Sequence, residues 1–264
     1  MTMGTTDISY IGLAVGLLLM AAPIWFFRMF GVRQIRPTLI AVARMVVQLF
    51  LIGLYLRYLF EWNSPWVNIL WVLLMVVVAS LTASHRTRLR RRVILLPLMA
   101  GLLGAALVVG LYFLVFVLRL SHPFDARYFI PIMGILMGNM LGVCVMGLNT
   151  FYDGLQRERQ LYYYLLGNGA THLEAVMPFV RRAIERSFAP CIANMAVMGI
   201  VSLPGTMIGQ ILGGSAPGIA IKYQMMIIVI TFSASMLALM VTLHLADRRS
   251  FDVHGRLRDV RTGK

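Results

Sequence analysis

Runs of about twenty apolar residues, the length a helix needs to cross a bilayer, recur along the whole chain. Seven can be marked, at 8–27, 37–60, 65–84, 93–118, 128–150, 188–203 and 219–245. Lipid offers no hydrogen bonds to the backbone, so a crossing segment satisfies its own N–H and C=O groups as a helix. No soluble core hides this much apolar surface: 59% of the 264 residues are hydrophobic and 13% are charged, against about 25% charged in a soluble domain. The expected fold is all-α, a polytopic membrane bundle of about seven helices forming one domain over residues 1–264. Pro23 predicts a kink in the first span, and Pro37 suits the first turn of the second.

The basic residues are not scattered. Nineteen of the 24 Lys and Arg fall in four segments, 28–36, 86–92, 157–186 and 248–264. Cytoplasmic loops carry the excess of Lys and Arg, so this pattern predicts the N-terminus outside, the C-terminus inside and a basic cytoplasmic tail over 246–264. It also accounts for the net charge of +14 without nucleic acid: the arginines mark topology and can touch anionic lipid. Residues 1–10 carry Asp7 but no Lys or Arg. They lack a signal peptide's basic region, so the first apolar run is expected to remain as a span. Cys144 and Cys191 lie in or beside apolar runs and imply no disulfide framework.

One long polar stretch interrupts the spans, from Asp153 to Ser187 within a predicted cytoplasmic loop at 151–187. Gly167-Asn168-Gly169 accepts positive φ and can end a helix. Thr171 with Glu174 three residues on fits a capping box that starts another. Pro178 is expected to limit that helix to about two turns. Leu173, Val176 and Met177 then share one apolar face. Such a short helix, held at the membrane surface, is a handle for a soluble partner. An ordinary loop is the alternative reading of the same spacing.

The run Gly-Asn-Gly-Ala-Thr-His-Leu-Glu-Ala-Val-Met-Pro, 167–178, resembles the loop by which ABC-transporter permeases seat a coupling helix on their ATPase. Further on, Val201-Ser-Leu-Pro-Gly-Thr-Met-Ile-Gly-Gln210 and Ala220-Ile-Lys-Tyr-Gln224 resemble the Fet-type iron-export permease family, which has plant relatives linked to aluminium tolerance. With Arg44/Gln48 and Gly138-Asn139, the likeness spans residues 40–245. It implies an inner (plasma) membrane permease, paired as a homodimer with a separate ABC ATPase that binds ATP and magnesium. The cargo it implies is iron or another metal ion. Coupling would fall to Gly169, Ala170, Thr171, Leu173, Glu174, Val176, Met177 and Pro178. A small organic solute such as a nucleotide sugar, or ATP-independent secondary transport, are the alternatives.

Polar side chains within spans are costly in lipid and usually face a bundle interior. Arg44 and Gln48 lie four apart on one helix face, although Arg44 is near enough to the span's end to snorkel. Asn139 follows Gly134 and Gly138, and with Asn194 it can serve as packing glue or touch cargo. Ser202, Pro204, Gly205, Gln210, Lys222 and Gln224, in the resembling stretches, complete the pathway candidates. Met133, Met137, Met140 and Cys144 form a sulfur stripe that could hold a soft metal or simply fill a core. Residues 205–214 are too short to cross and read as a re-entrant piece, unless the sixth span continues through a kink. No G-x-x-x-x-G-K-[ST] phosphate loop occurs. The chain is therefore expected to bind no cofactor and to be a non-enzymatic subunit.

Overall fold

A computed structural model describes residues 8–252, 255–258 and 260. Helices α1 (Tyr10–Leu18) and α2 (Ala21–Met29) make up the first span, broken at Leu19–Met20. The break lies four residues before Pro23. Proline lacks the N–H that would bond Leu19 O, and its ring crowds that carbonyl. α3 (Ile35–Trp62) and α4 (Pro65–Thr87) follow, with Asn63 left-handed between them. α5 (Arg91–Tyr112) ends in a π-helical turn, Phe113–Val117. α6 (Ala126–Arg157) is 32 residues long and runs through Pro131. Among the described residues the regular structure is helical, and six segments are long and apolar enough to cross a membrane. The chain is an all-α polytopic bundle.

α6 is the axis of that bundle, with α4, α5, α8 and α10 packed around it. Small residues make the approaches close. A Cβ on Gly101 of α5 would lie 2.2 Å from Thr242 Oγ1 and 2.7 Å from Ala238 O of α10. One on Gly147 of α6 would lie 2.4 Å from Leu239 Cδ1 and 3.0 Å from Ser187 Oγ. By contrast α1 and α2 bury no residue and α3 buries only Leu59. α3 leans on α4 through Tyr55 and Trp71, whose ring centroids are 4.3 Å apart. Asn63 Oδ1 accepts from Ala126 N at 2.9 Å, and Asn68 Nδ2 donates to Phe124 O at 2.9 Å. These two bonds stitch the α3–α4 turn to the α5–α6 turn.

Beyond α6, two expectations are corrected. α7 (Arg159–Gly167) stops at the predicted glycines, and Gly169 has φ +88°. α8 starts at the predicted capping box, Thr171 and Glu174. It then runs unbroken from His172 to Val197, through both Pro178 and Pro190. Pro178 forfeits one hydrogen bond, to Glu174 O. Burial of Ala175, Val176, Phe179 and Ala183 outweighs that loss. Tertiary packing thus overrides the proline stop.

The sixth span also differs. Instead of continuing to Leu203, helix ends at Val197 and the chain unwinds over 198–204, where Gly199 has φ +85°. α9 (Gly205–Leu212) and α10 (Pro217–Ser250) follow. Phe188 meets Phe232 of α10, Met198 shares a cavity with Gln224, and Thr206 bonds Gln224. α8 therefore runs antiparallel along α10, and α9 packs beside the start of α10.

Candidate functional site

The break between α8 and α9 opens a cavity of about 260 Å3 against α6 and α10. Its polar lining is Asn139 from α6, Asn194 from α8, Thr206 from α9, and Gln224, Thr231 and Ser235 from α10. Irregular backbone at membrane depth is tolerated where it lines a cavity, and discontinuous helices mark binding sites in many transporters. Thr206 Oγ1 donates to Gln224 Oε1 at 2.5 Å, which fixes the amide carbonyl and leaves its NH2 for another partner. Asn139 Nδ2 donates to Ile135 O at 2.9 Å, leaving its carbonyl oxygen to accept. Cys191, Met195 and Met198 line the same cavity. Cys191 and Met195 lie four apart on one face of α8, and Met198 follows where the helix ends.

Two further recesses adjoin it. Toward the start of α10, a space of about 520 Å3 shares Ile135, Thr206 and Ile227 with the central cavity and adds Arg127, Gln210 and Tyr223. An apolar pocket of about 530 Å3 lies on the other side of the break, lined by Met207, Met225 and Pro204, and shares Met195, Met198 and Gln224.

The predicted pathway residues separate accordingly. Asn139 and Gln224 meet in the central cavity, Gln210 lines the neighbouring recess and Pro204 the methionine pocket. Gly205 begins α9 and is exposed; Ser202 is exposed in the break, its carbonyl accepting from Gly199 N at 2.9 Å. Lys222 is exposed and lines none of the three. Arg44 and Gln48 are both exposed on the loosely packed α3 and line none of the three. Met133, Met137, Met140 and Cys144 are buried in helix packing and line none of these spaces. Among the described residues, no three His, Cys, Asp or Glu side chains gather as a metal-holding group.

At the other end of α8 the predicted cap is formed. Thr171 N donates to Glu174 Oε2 at 2.8 Å, and Glu174 N donates back to Thr171 Oγ1 at 3.4 Å. The backbone bond, then the Thr171 hydroxyl, holds the Glu174 carboxyl below the ordinary carboxylate range. Val176 is buried, whereas Leu173 is 63% and Met177 37% exposed, so two of the three predicted apolar residues remain presented at the surface.

His172 is the hinge-pin of this end. Asp247 only accepts, so His172 Nε2 donates to its Oδ2, at 3.0 Å. Tyr162 Oη lies 2.9 Å from His172 Nδ1 and 3.1 Å from Gly255 O. Burial first, then the Asp247 carboxylate, pushes the Tyr162 phenol up to about 12, so it keeps its proton as a donor. Phe251 packs on His172 with ring centroids 4.6 Å apart, and Arg90 N donates to Val260 O at 2.8 Å. The stretch after α10 is thereby laced to α7, to α8 and to the arginine-rich turn before α5.

A family model described as an uncharacterised protein family, UPF0014, matches residues 10–251. The chain belongs to UPF0014. It is 35% identical over 190 residues to Protein ALUMINUM SENSITIVE 3 of Arabidopsis thaliana, covering 71% of this chain and 67% of that one. It is 30% identical to UPF0014 membrane protein STAR2 of Oryza sativa subsp. japonica, over 88% of this chain and 79% of that one. It is 27% identical to the Probable iron export permease protein FetB of Escherichia coli (strain K12), over 97% of each. No solved structure matches. This UPF0014 chain is a multi-pass membrane protein.

Several lining residues of this UPF0014 cavity escaped sequence reasoning. Thr231 and Ser235 lie four apart, and Gln224 lies seven before Thr231, so one stripe of α10 carries all three. Cys191 and Met195 had the same signal on α8. Thr206 had none, because its role depends on where the chain unwinds.

Proposed function

We propose that this chain is the membrane-spanning subunit of an ABC exporter, working as a homodimer with a separate ATPase that binds ATP and magnesium. The observation that carries the proposal is the continuity of α8. One unbroken helix begins beside exposed Leu173 and Met177 and ends at the cavity wall, with Asn194, Met195 and Met198. A push on its capped start is transmitted as a rigid-body shift to the far end, where it opens or closes the cavity. The basic segments support a cytoplasmic location for the capped end of α8 and for the C-terminus, with seven crossings when α8 and α9 count as one.

Asn139 and Asn194 are exposed on this chain alone. Uncovered amides are costly in lipid, which supports a second copy packing over that face and closing the pathway between protomers. Arg44 and Gln48 on the bare α3 would then meet the partner or lipid. The cargo we propose is iron or another metal ion, in line with the name of the Escherichia coli relative. Amide and hydroxyl oxygens and the sulfurs of Cys191, Met195 and Met198 would take it in transit. A small organic solute is the second reading, favoured by a lining made largely of hydrogen-bonding amides and hydroxyls.

The test is ATP-dependent uptake of ferrous ion into inverted vesicles holding this chain with its ATPase. Uptake that needs ATP and is lost in Gln224→Leu supports the proposal. Uptake by the purified chain with no ATPase present would end the ABC reading.

A further inference from the structure

At the arginine-rich end, α4, α6 and α8 enclose a recess of about 560 Å3 that the transport reading does not use. Four guanidiniums from three helices line it: Arg86, Arg157, Arg182 and Arg186. Asp153 and Glu158 line it too, which leaves two positive charges in excess. We propose that this recess binds a phosphate-class oxyanion.

Ordinary helix electrostatics account for only half of the cluster. Arg86 and Arg157 lie in the last turns of α4 and α6, where a cation favours the macrodipole. Arg182 and Arg186 have no such reason, since both lie in the interior of α8. At i, i+4 they repel each other along the helix. Glu158 holds Arg182 in an ion pair. Among the described residues Arg86, Arg157 and Arg186 form no ion pair, so three unpaired guanidiniums converge on one concavity. Low-dielectric walls focus that charge and raise the local concentration of anions.

The shape and donor set fit the same ligand. Guanidinium presents a planar fork of donors that matches phosphate oxygens in pairs. Asn149 and Thr150 add neutral donors on the α6 wall. Gly142, with nothing within 4 Å of a Cβ built on it, keeps the far end open. From Gly142 to Arg157 the α6 wall spans about 22 Å, room for a phosphate and the group that carries it. The phosphate can belong to a soluble anion or to an anionic lipid headgroup. The recess itself recognises the oxyanion that both share.

The experiment uses the full chain in neutral detergent, titrated calorimetrically with inorganic pyrophosphate. In a second arm, native mass spectrometry follows phosphatidylglycerol retained from vesicles made with and without it. Arg157→Gln/Arg186→Gln removes two unpaired guanidiniums and leaves the Arg182–Glu158 pair intact. The double variant is expected to weaken whichever ligand binds by about tenfold or more. Arg157→Lys/Arg186→Lys retains the charge, serves as the folding control and should recover part of the affinity. Pyrophosphate binding lost in the Gln variant supports the site with a soluble source. Phosphatidylglycerol retention lost in that variant, without pyrophosphate binding, supports it with a lipid source. If neither ligand binds, or if binding is unchanged in a Gln variant with wild-type melting behaviour, the proposal is overturned.

Discussion

His172 Nε2 meets Asp247 Oδ2 at 3.0 Å across 75 residues of sequence, joining the first residue of α8 to the last turn of α10. The pair is partly exposed, and screened pairs of this kind contribute about 1 kcal/mol or less. Its effect is therefore local. Asp247→Asn or Tyr162→Phe should leave the bundle assembled while loosening the segment after Ser250. Hydrogen exchange at 251–252 and 255–258 is expected to rise in both variants and to stay unchanged in α4 and α5. Uniformly faster exchange across the chain would mean the pair holds the whole fold rather than this lacing.

The capping box gives a stability and a pH expectation. Thr171→Ala should cost about 1 kcal/mol, the usual loss for a removed N-cap, with fraying confined to the first turns of α8. Glu174 carries a folded-state pKa below its unfolded value. Its contribution is thus fully present above the ordinary carboxylate range and is lost as pH falls through the depressed value. Protease sensitivity at Gly167–Thr171 should rise in acid for the wild type. Glu174→Gln, which has no carboxyl to titrate, should flatten that dependence.

Close approach of α5 and α10 gives the sharpest structural expectation. A side chain on Gly101 meets Thr242 Oγ1 and the Ala238 carbonyl, and the backbone atom cannot rotate away. Gly101→Val should destabilise by about 1–3 kcal/mol and lower the yield of monodisperse protein. Gly104→Ala, in open space on the same helix, is the control and should behave as wild type. Equal yields for the two variants would contradict this packing of α5 on α10.

Gln224 and Asn139 carry the expectation for the cavity. Gln224→Leu removes the acceptor for Thr206 and the free NH2, and Asn139→Leu removes a second amide from the same lining. Neither touches the α5–α10 or α6–α8 glycine contacts, so membrane levels should hold. Transport is expected to fall by about tenfold or more, the usual cost of leaving a buried polar cargo without its partner. Cys144→Ser, in the packed sulfur stripe, should lower stability before it lowers transport.

How much was legible depended on whether a residue's fate was decided locally. Apolar runs, the Gly167–Gly169 stop and the Thr171/Glu174 cap were readable because backbone satisfaction and side-chain geometry act within a few residues. Pro178 misled, since packing against α6 decided between stop and continuation, and that contact comes from residue 154, on another helix. Arg44 and Gln48 were correctly paired on one face, but which face turns inward is set by neighbours, and α3 has few in this chain. Asn139 stood out as a polar residue in an apolar run, and Gln224 lay in a stretch that resembled a known family. The hydroxyls beside them did not stand out, because Thr and Ser also satisfy themselves on the preceding helical turn, as Thr231 does with Ile227 O at 2.8 Å.

The start of α8 carries the last expectation. Leu173 and Met177 lie one turn apart and exposed, while Val176 is buried. Two apolar side chains presented beside the capped turn form a contact patch, and the unbroken helix behind them leads to Asn194 and Met198 in the cavity wall. Leu173→Asp/Met177→Asp puts two charges where a partner's apolar surface would have to desolvate them, a cost of several kcal/mol. Neither residue is buried in this chain, so the bundle should fold and reach the membrane at normal levels. For the proposed ABC exporter, the expected result is loss of the ATPase from the purified complex together with loss of ATP-dependent transport. Val176→Asp, at the buried neighbour, should instead reduce the amount of folded protein. A Leu173/Met177 double variant that keeps its ATPase and still transports would move the coupling contact elsewhere, and the lever reading of α8 with it.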